Sequence, residues 1–311
     1  MPAIRNKIGS DTPYHEWSPI VSRKPLHWPN GARVALAVIV NIEYMELEAP
    51  SDSAVPPTFI RHGPYPALPD IHEVSPHEYG NRVGIFRVMK VLDRHGIRAT
   101  AALDAAAARR YPFLVNEAKR RDWEFIGHSL VSNRMITENM PEVDEREYIR
   151  EALGVVREAT GARVRGWIGA DHGQSSRTVR LLAAEGVDYM CDWPNDEQPY
   201  RMHVPQGRMV ALPTTLELDD CVSRARRIAI DRWSRLICEA FDGLHHDGAE
   251  SGRTLVLNLH PWVTGQPYRI RALDEALAHI VARGAVWCAT GSEIVDCFLQ
   301  QQADWPGGAP P

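Results

Sequence analysis

No apolar run among the 311 residues approaches the roughly 20 needed to cross a bilayer, which argues against a membrane span. Cysteine is scarce and unpaired in pattern. Cys191, Cys221, Cys238, Cys288 and Cys297 are odd in number and form no CxxC, so neither a disulfide frame nor a thiolate zinc site is expected. There is no basic stripe, and the formal net charge is −5, so nucleic acid is not an expected partner. No GxGxxG or GxxxxGK[ST] follows a strand-like run, so nucleotide cofactors have no signal. Short-period repeats, low-complexity blocks and Gly-Ser linkers are missing too. The first residues, Met1-Pro-Ala-Ile-Arg-Asn-Lys, lack the apolar core of a secretion signal. These absences point to a soluble cytoplasmic protein.

What is present alternates. Buried-type strands are expected at 33–42, 97–103, 123–127, 163–168, 187–190, 209–212, 255–259 and 285–288, separated by segments of helical period. Residues 84–95 show this well, with Ile85, Val88, Met89 and Leu92 on one face and Gly96 as C-cap. Alternation of this kind predicts a parallel α/β sheet, and seven or eight units predict a closed or nearly closed barrel. The expected organisation is an N-terminal arm (1–30), packed through Trp17, Ile20 and Trp28, one barrel domain (31–300) and a short tail (301–311). Residues 47–80, with seven prolines and three histidines, read as a long loop. It is expected to cross the barrel mouth as a lid or to form a subunit contact, with Arg61-His62-Gly63-Pro64 near substrate.

Polar residues gather where these strands end. In a parallel barrel all carboxyl ends open on one rim, where such enzymes carry their chemistry. Glu43, Asp104, His128, Asp171-His172, Asp192, Asn195-Asp196, Glu217 and His260 are all at such positions. The set supports an acid–base constellation centred on Glu43, His128 and His260. Tyr44, Asn133, Asp171, Asp192, Trp193, Asn195 and Trp262 are the candidates for substrate binding. Several of them are equally compatible with turn or packing roles.

In this order the residues resemble the NodB-like polysaccharide deacetylase superfamily, over roughly residues 30–295. The landmarks are an acidic strand end at Glu43, a histidine motif at His128 and Leu257-Asn258-Leu259-His260 late in the chain. The resemblance implies a distorted (β/α)7 barrel. Tyr79-Gly-Asn-Arg-Val-Gly84, Tyr189-Met-Cys-Asp-Trp193 and His260-Pro-Trp262 look like the branch of metal-independent allantoinase-type enzymes and cyclic-imide hydrolases. Two departures from the deacetylase pattern matter. Tyr44 stands where a metal-binding Asp would follow the base, and Ser132 stands where a second metal histidine would be.

No metal or other cofactor is therefore expected, because catalytic zinc normally needs about three protein ligands; a rebuilt site from Glu43, Glu46, His128 and His260 is the alternative. The expected activity is metal-independent hydrolysis of a C–N bond in a small cyclic amide, imide or ureide. Glu43 would act as base and His260 as proton donor, with His128 and Asn133 holding substrate or oxyanion. A metal-dependent deacetylase of N-acetyl sugars and a catalytically inactive ligand-binding barrel are the alternatives. The relatives suggest a homo-oligomer.

Overall fold

The structure is a computed structural model; it describes residues 12–48, 69 and 71–302, leaving aside the side chains of His72 and Glu73. The strands are β1 (Val34–Ile42), β2 (Thr100–Leu103), β3 (Glu124–Gly127), β4 (Gly166–Trp167), β5 (Tyr189–Met190), β6 (Tyr200–Met202), β7 (Met209–Ala211), β8 (Arg253–Leu259) and β9 (Val286–Cys288). They form one sheet in the order β6-β7-β5-β4-β3-β2-β1-β8. Seven of them, β1 to β5, β7 and β8, run parallel as the staves of a distorted barrel, and β6 adds an antiparallel ribbon on β7.

β1 is the central stave. Val34–Val40 pairs with Arg253–Leu259 along one edge. The other edge is shared, with Val34–Leu36 on β9 and Ile39–Ile42 on β2. The barrel does not close by strand pairing between β8 and β7. Loops bridge that gap instead: Thr215 N donates to the Val256 carbonyl (3.0 Å) and Thr254 N to the Glu197 carbonyl (2.8 Å).

Every residue of β1 is buried, as expected for a strand covered on both faces. Its two faces serve different layers. Val34, Leu36, Val38, Val40 and Ile42 join the cluster that includes Ile85, Met89, Phe241 and Ile280 from the outer helices. Ala35, Ala37 and Ile39 join Ala102, Ile126, Val256 and Ile168 in the barrel interior. Side chains alternate along a strand, so the inward series 35, 37, 39 continues to Asn41 and Glu43. The same parity carries β2 from Ala102 to Asp104, β3 from Ile126 to His128, and β8 from Val256 through Asn258 to His260. Strand period thus aims the polar rim residues into the mouth.

The floor of the barrel is polar and closed. Tyr189 Oη donates to Glu124 Oε1 (2.8 Å), and Gly291 N, at the start of the helix Gly291–Gln300, donates to Thr100 Oγ1 (2.9 Å).

Several expectations need correction. Residues 71–79 are a helix, not loop, and they continue through a π-helical turn at Gly80–Gly84 into the helix Ile85–Arg94. The expected arginine–histidine contact at 61–64 lies outside the described residues, as does the tail from 303. Within the arm Trp28 is buried, its Nε1 donating to the Arg253 carbonyl (2.8 Å), and Ile20 is half-buried. Trp17 is 76% exposed, against the expectation that it packs. Residues 105–120 form two helices, Ala105–Arg110 and Pro112–Arg120, because Pro112 starts a new first turn. Among the described residues no helix is long and apolar enough to cross a membrane.

Candidate active site

A cavity of about 280 Å³ opens at the carboxyl ends of the staves. It is lined by Glu43, His128, Gly169, Asp171, His172, Asp219, Cys221, Arg226, Asn258 and His260 together with Ile168, Pro194, Leu216 and Val222. The three expected catalytic residues therefore share one cavity, although they come from three different staves.

Glu43 is 5% exposed. Its Oε2 accepts from Trp262 Nε1 at 3.2 Å, and its Oε1 lies 3.6 Å from His128 Nε2. The main chain is held as well, since Asn81 Nδ2 donates to the Glu43 carbonyl (2.6 Å). Burial alone would raise this carboxyl. The nearby His260, the contact with His128 and the charge of His77 more than reverse that and bring it to about 2. Glu43 is thus a buried carboxylate kept ionised by imidazoles.

His128 Nδ1 lies 2.6 Å from the Ile168 carbonyl, so Nδ1 carries the proton. A neutral ring would then turn a lone pair at Nε2 toward the Glu43 carboxylate. Protonation removes that conflict. Burial opposes the charge on His128, and Glu43 and Asp104 outweigh it, so its pKa is raised.

His260 is anchored by a residue that the sequence reading did not single out. Asp220 Oδ1 lies 2.7 Å from His260 Nδ1, and both its oxygens accept from the His260 backbone N, at 3.1 and 2.9 Å. Thr264 Oγ1 donates to Asp220 Oδ2 at 2.5 Å. Asp220 therefore sets the tautomer and direction of the ring, leaving Nε2 for the cavity. Burial opposes the imidazolium, but Cys221, Asp220, Glu43 and Asp219 outweigh it and raise the pKa well above the usual histidine value. Burial also pushes the Cys221 thiol up, so the carboxylates carry this effect.

The remaining candidates divide. Asp171 lines the cavity, on the turn Ala170–His172. Asp192 is buried just behind, its Oδ1 accepting from Gly169 N (2.8 Å). Trp262 does not line the cavity; it donates to Glu43 and packs against His77 (ring centroids 4.3 Å) and Arg224 (4.8 Å). The Asn133 amide is committed to the main chain, accepting from Glu46 N (3.0 Å) and donating to the Glu46 carbonyl (2.9 Å). Tyr44 turns its ring to Tyr111 (6.2 Å). Trp193 packs on Tyr14 of the arm (5.2 Å), and exposed Asn195 accepts from Tyr200 Oη (2.8 Å). The structure does not bring Asn133, Tyr44, Trp193 or Asn195 to the cavity lining.

The sequence reading missed Asp219, Asp220, Cys221 and Asn258. Asn258 was accessible to it, since it has the inward parity of His260 on β8. It accepts from Asn41 Nδ2 (2.7 Å) and donates to Asp219 Oδ2 (2.7 Å), a polar layer beneath the catalytic groups. Asp219 and Asp220 sit at the start of a helix Asp220–Ala225 too short to leave a periodic signal.

A deacetylase metal would not be held here by the residues of that pattern. Tyr44 and Ser132 stand at two of its ligand positions, and they are bonded to each other: Ser132 N and Oγ both donate to the Tyr44 carbonyl (2.9 and 3.0 Å). His128 alone remains, and a single protein ligand does not make a zinc site. The set Glu43, Glu46, His128 and His260 is not gathered as a group either. Among the described residues the one cluster with metal-ligand spacing is Asp219, Asp220, Cys221 and His260. Its carboxylate oxygens are already engaged by Val222 N, Asn258 Nδ2, Thr264 Oγ1 and His260. The donor set is satisfied internally and fits a cation poorly.

Residues 78–190 match the family model described as polysaccharide deacetylase. A Schizosaccharomyces pombe protein that carries a polysaccharide deacetylase name is 26% identical over 305 residues, covering 87% of this chain and 92% of the relative. A Pseudomonas aeruginosa PAO1 structure with a name of the same kind superposes with a TM-score of 0.80 at 25% identity, over 91% of this chain and 96% of that one. The structure of PuuE allantoinase superposes with a TM-score of 0.78 at 26% identity, over 92% and 96%. The fold, the strand-end histidines and these likenesses agree: the chain is similar to the NodB-like polysaccharide deacetylases and to the allantoinase-like branch among them.

Proposed function

We propose that the protein hydrolyses a C–N bond in a small cyclic amide, imide or ureide, with Glu43 as general base and His260 as general acid, and without the deacetylase metal. The observation that carries this reading is the opposition of a buried ionised Glu43 to an Asp220-anchored His260 in one cavity. Its likeness to an allantoinase structure supports the substrate class.

The two groups work as a coupled pair. Glu43 is a weak base while His260 holds its charge beside it. As His260 passes its proton to the leaving nitrogen, that stabilisation fades and Glu43 becomes a stronger acceptor for the proton of the attacking water. His128, fixed by the Ile168 carbonyl, turns Nε2 toward the same region and is available to the developing oxyanion. An activated ring carbonyl suits such a site better than an N-acetyl sugar amide, because no cation is invoked to lower the pKa of water.

The test is turnover of cyclic imides, hydantoins, allantoin and N-acetyl sugars by purified protein, with and without chelator. Ring opening that survives chelation, and is lost in Glu43→Gln and in His260→Ala by about 10²- to 10⁴-fold, is expected. Activity confined to N-acetyl sugars, or lost to chelator and restored by zinc, overturns the reading.

A further inference from the structure

The turn after β4 has a construction that the acid–base pair does not use. Asp171 and His172 follow one another with φ of 49° and 57°. This is the left-handed region, sparsely used by residues with a side chain and uncommon twice in succession. The turn is braced at both ends. His172 N donates to the Gly169 carbonyl and Gly173 N to the Ala170 carbonyl, each at 2.9 Å. The turn packs closely on its neighbour: a Cβ on Gly173 would lie 2.0 Å from Met135 Cγ and 2.9 Å from the Ile136 carbonyl oxygen.

This strained turn presents His172 to the cavity that holds Glu43 and His260. Behind it lies Asp192, 4% exposed, whose Oδ1 accepts from Gly169 N (2.8 Å) and stands 3.6 Å from His172 Nδ1. Asp192 Oδ2 and His172 Nδ1 are both buried without a hydrogen-bond partner among the described residues. A shift of the ring by about 0.7 Å brings Nδ1 to hydrogen-bonding distance of Asp192. Strand order gives the placement its meaning. Glu43 and His260 extend from neighbouring staves β1 and β8, whereas β4 lies beyond β2 and β3. His172 therefore faces the acid–base pair from the far wall of the mouth.

We propose that His172, held as an imidazolium with Nδ1 toward Asp192 and Nε2–H toward the cavity, is the specificity-determining donor of this pocket and selects rings with a second acceptor oxygen away from the scissile carbonyl, that is imides and ureides over plain lactams. The inference rests on the cyclic-amide reading above and narrows it. A lactam leaves this donor unmatched inside a desolvated cavity, which is the situation in which discrimination by a single polar contact is largest. Strain at Asp171 and His172 belongs to the same device, holding the donor in place before substrate arrives.

The experiment compares an imide, a hydantoin and a lactam of equal ring size on the wild type, His172→Ala, His172→Gln and Asp192→Asn. The lactam is followed as substrate or, where it is not cleaved, through its inhibition constant. His172→Ala is expected to lower kcat/KM for the imide and hydantoin by about 10- to 100-fold, mainly through KM. The effect on the lactam stays within a few fold, so the discrimination ratio collapses. His172→Gln, which keeps a donor, retains part of the ratio, and Asp192→Asn weakens it. Equal melting temperatures show that folding is intact; if His172→Ala does not fold, His172→Gln carries the comparison. A discrimination ratio untouched in the folded variants overturns this inference and leaves the cyclic-amide reading standing. A wild type that opens none of the rings overturns both.

Discussion

The indole nitrogen of Trp262 lies 3.2 Å from Oε2 of Glu43, joining residues 219 positions apart at the base of the cavity. Trp262 is a candidate for substrate binding from the sequence, with a packing role as the alternative; in the structure it serves the carboxylate. Trp262→Phe keeps the stack on His77 and Arg224 but removes the donor. Because the lost bond favours the ionised form, the Glu43 pKa rises from about 2. The acidic limb of the kcat–pH profile is expected to move to higher pH, with kcat at neutral pH about 10-fold lower. An unmoved limb would show that the indole only packs.

Asp220→Asn acts at the other end of the profile. The Asp220 charge favours the His260 imidazolium, and its loss lowers the His260 pKa. The general acid is then deprotonated at lower pH, so the alkaline limb of kcat shifts down while the acidic limb stays. A pH–rate profile or an NMR titration of the ring reads this directly.

Asp104 offers a test on stability. Burial pushes its carboxyl up to about 6, with Glu43 adding and His128 opposing. A folded pKa above the unfolded 3.8 means that the fold is favoured with the proton on and loses stability as pH rises from about 4 to 6. Asp104→Asn keeps an acceptor for Tyr44 N and can donate to Ser129, while removing the buried charge. The variant is expected to match the wild type near pH 4 and to gain about 1–3 kcal/mol above pH 6, seen as a melting-temperature gap that opens with pH.

Gly84 sits where the π-helical turn meets the segment after His260. A Cβ there would lie 2.1 Å from the Pro261 carbonyl oxygen. Main-chain atoms cannot give way as a side-chain tip can, so Gly84→Ala must displace the turn or Pro261–Gly265. Stability is expected to fall by about 2 kcal/mol or more, with activity falling further because Trp262 moves with that segment. Thermal melts and kcat at matched folded fraction separate the two effects.

The parts of the site that could be read from the sequence are those ruled by local period. Strands 33–42 and 255–259 announce themselves through apolar runs, and their ends at Glu43 and His260 follow. Helix 71–79 was hidden by Pro76 and by the prolines before it, which mask the period. The short β6 and the helix Asp220–Ala225 escaped notice because three to six residues give no repeat to detect.

Sequence alone determined the alternating α/β order, the inward parity that carries Glu43, His128 and His260 into the mouth, and the replacement of deacetylase ligands by Tyr44 and Ser132. These follow from dihedral preference and residue type, which act along the chain. Only the tertiary structure decided that Asp220 anchors His260, that Trp262 holds Glu43, that Asn133 serves the backbone and that His172 faces the acid–base pair. Those pairings join segments set side by side by the packing of crossovers around the barrel, and no local period encodes which loop ends will meet there.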